Sequence, residues 1–232
     1  MKSAFQTMPT QPRLPRLRAK LRMLVRSDRG SVAIEFVIIV PLMLLVLLGF
    51  TEMYLYMRAV SIVERTAFTV ADSVGQMSNV INDESTTNSN NLGSVWNAAT
   101  LLAAPNDLKA NGGVILTSIC DKPNNCGTPP AVCGGSLLIP ATKGSPQIGW
   151  TQNASWMTKS SSPTRITSAN LLPKGWPFYA CDSATAVEVF YTYTPFSMTA
   201  PFWTSAPGTQ TIYKVVYVRQ RSGQPLTLTA SS

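Results

Sequence analysis

The chain has 232 residues, of which 45% are hydrophobic and only 13% charged, so it has room for one ordinary domain plus an anchor. It contains no histidine, which excludes Ser-His-Asp and Cys-His catalysis and leaves a zinc site only the four cysteines to draw on. The net charge is +8, but Lys2, Arg13, Arg16, Arg18, Lys20, Arg22, Arg26 and Arg29 stand against Asp28 alone in residues 1–29; the rest of the chain is nearly neutral, and no nucleic-acid partner is expected.

Residues 1–30 read as a basic leader. Residues 31–57 (SVAIEFVIIVPLMLLVLLGFTEMYLYM) follow, and Phe36 to Thr51 carries no ionisable side chain. A helix needs about 20 residues to cross the hydrocarbon of a bilayer, and this segment supplies them by borrowing from both flanks. Tyr54 and Tyr56 fall where an interfacial aromatic belt would lie. A buried helix of a soluble domain is rarely apolar on every face. A secretory signal would have a shorter basic region and a small-residue cleavage site after the apolar run. The segment is therefore expected to be a single transmembrane helix with its basic flank in the cytoplasm.

At the head of this segment stands Arg29-Gly30-Ser31-Val32-Ala33-Ile34-Glu35-Phe36. A carboxylate at the edge of a membrane helix costs a few kcal/mol and invites a partner. Glu35 has two readings: it snorkels to the headgroups, or it meets an α-amine released by cleavage after Gly30, its own or a neighbour's. Pro41 opens the backbone ladder inside the span, which membrane helices tolerate.

Residues 58–77 space Val60, Val63, Ala67, Val70, Ala71 and Val74 by three and four, an amphipathic helix that continues the anchor without a break residue. One helix over 31–77 is expected, its stripe packed on the chain's own C-terminal domain. Residues 79–91 read as a polar loop, and 94–104 as a short helix. Strands are expected at 114–120, 147–156, 184–194 and 210–220, the last two as antiparallel neighbours. Residues 121–147 hold five prolines and four glycines and read as loop. Residues 78–232 are thus expected to form an α+β domain, a long helix packed on a small antiparallel sheet. Glu188 is read as an exposed face residue, and Trp150, Trp176 and Trp203 as core.

The four cysteines, Cys120, Cys126, Cys133 and Cys181, form an even set that reads as disulfides in an oxidising compartment. The favoured pairing is Cys126–Cys133 and Cys120–Cys181. Their spacings do not suit a structural zinc, and no carboxylate pair or phosphate loop stands out. No metal, no cofactor and no enzymatic activity are expected.

The junction resembles the type IV prepilin processing site, and in particular that of the TadE-like pseudopilins of the Flp (tight adherence) pilus system. Gly30, Glu35 and Phe36 match that pattern at the head of a lone membrane helix, and Pro41 resembles the family's proline after the first turns. The likeness covers residues 29–75 and recurs more loosely at 187–195 (VEVFYTYTP). It implies a pilin-like architecture, cleavage between Gly30 and Ser31 by a prepilin peptidase, and Glu35 as the charge partner in assembly. It further implies a bacterial inner-membrane protein with a periplasmic domain, whose partners are other pilus or pseudopilin subunits and inner-membrane assembly proteins. The competing reading is a membrane-anchored periplasmic interaction protein with an uncleaved leader; an anchored enzyme ranks last.

Overall fold

The computed structural model describes residues 28–122, 143–157, 164–196, 198–202, 205 and 207–231. The basic leader through residue 27, Cys126, Cys133 and Trp203 lie outside the described residues. The chain divides into two compact units, Met1–Thr51 and Glu52–Ser232.

In the first unit the described chain is helical. Helix α1 (Asp28–Gly75) begins here, three residues earlier than the periodicity suggests, and runs on through Pro41. Its residues within the unit are exposed around the axis: Phe36, Val37, Leu42, Met43, Leu47 and Phe50 all face outward. Among the described residues this is the helix long and apolar enough to cross a membrane, with an 18-residue window of mean hydropathy 2.6 and none of that window buried. The length and composition fit a single-pass membrane protein.

In the second unit α1 turns amphipathic. Ala59, Val63, Ala67, Val70, Ala71 and Val74 are buried, and they share one core with Val114, Leu116, Val187, Val189, Ile212 and Val216 of the sheet. The expected stripe therefore does pack on the chain's own domain. Polar pairs flank it: Glu64 meets Lys214, and Asp72 meets Arg221 at 2.6 Å. Such exposed pairs contribute little to stability. At the helix end Gly75 lets β5 approach, since a Cβ there would lie 2.8 Å from a Val218 methyl.

The sheet has four antiparallel strands in the order β3-β2-β4-β5, where β2 is Gly112–Asp121, β3 Pro146–Asn153, β4 Ser183–Tyr193 and β5 Gln210–Arg219. In register, Val187 stands between Leu116 and Val216. Each expected strand is present, and β4 and β5 are antiparallel neighbours as the sequence suggests. Helix α2 (Leu92–Leu102) buries Leu92, Val95, Trp96 and Ala99 in the same core. A short α3 (Leu108–Asn111) is capped by the Asp107 carboxylate, which accepts from the Ala110 N–H.

Three expectations need correction. Residues 79–91 are not all loop, for Asn79–Asn82 forms β1, which pairs in parallel with β6 (Thr227–Ala230). The tryptophans Trp150 and Trp176 are half-buried at the core margin rather than central. And Glu188 is not exposed: it is 0% accessible. The sheet is covered on both faces. Opposite α1, residues 164–178 lay Ile166, Leu171 and Phe178 over Ile119, Ala184 and Ala186, so β4 is buried continuously from Ser183 to Tyr191.

Glu188 sits on that second face and is satisfied there. Its carboxylate accepts from the Thr164 hydroxyl, the Arg165 N–H at 2.8 Å and the Tyr213 hydroxyl at 2.9 Å. The Arg165 guanidinium stacks 4.1 Å over the Tyr213 ring. Burial, then the Glu188 charge, push the Tyr213 phenol well above its ordinary value, and the same two causes raise Tyr217. The sign follows from linkage. The unfolded chain releases these protons near pH 10, whereas the folded chain holds them. Stability should thus be insensitive to both phenols below about pH 10 and fall as the pH rises past it. Alkaline unfolding followed by tyrosinate absorbance and circular dichroism checks this. Tyr213→Phe should flatten the decline, and ordinary titration of every tyrosine in the folded protein would refute the burial of this cluster.

Candidate processing junction and helix carboxylates

Because α1 begins at Asp28, Gly30 and Ser31 lie in its first turn. The first four N–H groups of a helix have no acceptor within it, so this turn is the part that opens at least cost. Gly30 lowers that cost further, since glycine is the poorest helix former after proline. The Gly30–Ser31 bond therefore lies at the easiest place on the helix to unwind.

Glu35 is exposed on the following turn. It stands four residues after Ser31, and residues spaced by four share a helix face. An amine created at Ser31 would lie about 6 Å along the axis from Glu35, within reach of a carboxylate side chain. Phe36 is 68% exposed beside it. Pro41, two turns on, has no N–H to give the Val37 carbonyl. The structure thus groups Gly30, Ser31, Glu35 and Phe36 within the first turns of one helix, with Pro41 downstream.

A second carboxylate, Glu52, closes the apolar run, and its role was not legible from the sequence. It is 2% exposed. Its Oε1 accepts from the Met198 N–H at 2.5 Å and the Thr199 N–H at 3.2 Å. Its Oε2 accepts from the Thr199 hydroxyl at 2.5 Å. The loop between β4 and β5 is thereby tied to α1 at the first residue of the second unit. Tyr193 and Tyr56 stack nearby, with ring centroids 5.8 Å apart. Burial, and after it the Glu52 charge, raise the Tyr193 phenol. The one sequence signal was an acid standing at the end of an otherwise uncharged stretch.

Cys120 and Cys181 are both disulfide-bonded. Cys120 lies opposite Ser183 in the β2–β4 register. Cys181 stands outside β4 in a left-handed conformation, φ 63°. Its N–H is held by the Asp121 carboxylate at 3.0 Å, which also accepts from the Ser145 N–H at 2.7 Å. The other expected pair, Cys126–Cys133, falls outside the described residues.

A helix apolar on all sides, headed by a glutamate five residues after a glycine and followed by an α+β domain, fits a single-pass membrane protein. The family described as TadE-like protein has a model that matches residues 30–72, from the glycine of the junction into the amphipathic half of α1. The resemblance read from Gly30, Glu35 and Phe36 is thus borne out over that segment. The looser likeness at 187–195 lies beyond it. No curated protein matches the chain, and no solved structure does.

Glu52→Ala should leave the Thr199 hydroxyl and two backbone N–H groups without their acceptor, at about 1–3 kcal/mol for each group left buried and unsatisfied. Amide hydrogen exchange at Met198 and Thr199 should accelerate by at least about tenfold, while amides in β2 and β4 keep their protection. Unchanged exchange at both positions would show that the clamp contributes nothing.

Proposed function

We propose that this chain is a minor pilin-like or pseudopilin-like structural subunit that helps assemble an Flp-type (tight adherence) pilus or its associated secretion apparatus. The observation that carries this reading is the TadE-like match, which starts at Gly30 and covers the junction and the helix together. TadE-like similarity points to the Tad/Flp pilus system. The finer role rests on the residues. A prepilin peptidase cuts between Gly30 and Ser31. The new Ser31 amine, cationic below a pKa of about 8, pairs with Glu35 of its own chain or a neighbour's. Either pairing offsets the desolvation of both charges at the membrane edge.

The 8 basic side chains before residue 30 support an N-terminus in the cytoplasm. The α+β domain then lies in the periplasm, where Cys120, Cys126, Cys133 and Cys181 meet an oxidising environment. The chain's work in this reading is helix–helix association in the inner membrane with other pilus subunits and assembly proteins, rather than catalysis.

Two variants test the reading in cells that express a prepilin peptidase. Gly30→Ala should abolish the shift from precursor to mature size on a denaturing gel. Glu35→Gln should leave that shift intact and lower recovery of the protein with neighbouring pilus subunits by about fivefold or more, the scale of one charge-assisted hydrogen bond. Normal processing of Gly30→Ala, or full co-purification of Glu35→Gln, would count against the assigned roles.

A further inference from the structure

The loop from Pro195 to Thr209 contains no charged residue in 15 positions, which is unusual for a segment facing water. Its first part is compact. The Ala200 N–H donates to the Phe196 carbonyl at 2.7 Å, and the Phe202 N–H to the Thr199 carbonyl at 2.9 Å, closing a single 3-10 turn at Ala200–Phe202. Thr199 is the inward member of the turn, 0% exposed and bonded to Glu52. The outward members are apolar: Met198 is 48% exposed and Phe202 70%. On α1 itself Met53, Tyr54 and Met57 are also exposed, at 50%, 63% and 60%.

The place of this turn along the chain decides what covers it. Glu52 directly follows the last uncharged residue of the apolar run, Thr51. A turn hydrogen-bonded to Glu52 is held where that run ends. If the run fills the hydrocarbon of a bilayer, its end meets the headgroup region, where aromatic and flexible apolar side chains are favoured and an unpaired buried carboxylate is costly. The three hydrogen bonds on Glu52 remove that cost, and the uncharged, apolar face of the turn suits the same layer.

We propose that the turn at residues 198–202 is a second membrane contact, in which Met198, Pro201 and Phe202 enter the phospholipid headgroup region that α1 leaves at Glu52. The occupant of this apolar face is lipid, and Glu52 is the positioning residue that fixes the turn at that depth. The inference rests on α1 spanning the membrane, as in the proposed function. It adds a lipid-facing element to the folded domain.

A photoreactive benzoylphenylalanine placed singly at Leu45, Phe202 or Ser222 of the full-length protein, in membranes carrying radiolabelled phospholipid, tests it. Leu45 lies inside the apolar run. Ser222 is exposed next to Arg221, whose N–H bonds Gly75 at the far end of α1, roughly 34 Å along the helix from Glu52. Lipid adducts are expected at Leu45 and at Phe202, with Ser222 at background. Adding Glu52→Ala should lower the Phe202 adduct by about fivefold or more. Should that variant fail to accumulate, Thr199→Val removes the hydroxyl bond alone and should lower it in the same direction. Adducts at Leu45 with none at Phe202 would overturn the proposal while leaving the membrane span intact. A protein adduct in place of lipid at Phe202 would replace the bilayer by a neighbouring subunit and overturn it equally. Absence of lipid adducts at Leu45 would remove the spanning helix and the proposal together. A Phe202 adduct unchanged by both substitutions would take the positioning role from Glu52.

Discussion

One helix has to satisfy two solvents. Between Phe36 and Phe50 the side chains of α1 are apolar on every side, and none of the apolar window is buried by protein. After Glu52, only a stripe is apolar, and protein covers that stripe. The change of environment is written in the side chains of one continuous helix. The rest of the folded domain follows from this. The sheet and α2 exist to cover Ala59, Val63, Ala67, Val70, Ala71 and Val74, whose small size permits close approach of helix and strands.

The carboxylates mark where the demands on the helix change. Glu35 stands at its head, exposed, one turn after the junction. Glu52 stands at the change of solvent, buried and bound by two N–H groups and a hydroxyl. Glu188 is buried within the sheet under three donors. An isolated charge in such places is strongly unfavourable, and Glu52 and Glu188 each accept three hydrogen bonds instead. Glu52 and Glu188 hold loops that have little regular structure of their own. Glu52 secures the turn at 198–202, and Glu188 secures residues 164–165 over the second face of the sheet.

Much of the fold was readable because its signals are local. Four turns without a charge announce the apolar helix, spacing by three and four announces its amphipathic half, and alternation of Val187, Val189 and Tyr191 announces β4. What escaped depends on partners far along the chain. β1 and β6 are four residues each and pair Asn79 with Thr227. Glu52 meets Thr199 across 147 positions. Glu188 was read as exposed because alternation in an antiparallel strand usually marks one wet face. Here an irregular segment with no periodicity of its own covers that face. The junction was the most legible part of the candidate site, since Gly30, Glu35 and Phe36 are close in sequence and the match over residues 30–72 begins there.

The proposed role in pilus assembly depends on what becomes of the Gly30–Ser31 bond, because only cleavage creates the amine that Glu35 would neutralise. Intact-mass measurement of the unsubstituted protein, extracted from membranes of cells that contain a prepilin peptidase, reads this directly. The account predicts a chain that begins at Ser31 and has lost the basic leader. A mass corresponding to a chain that still begins at Met1 would contradict it.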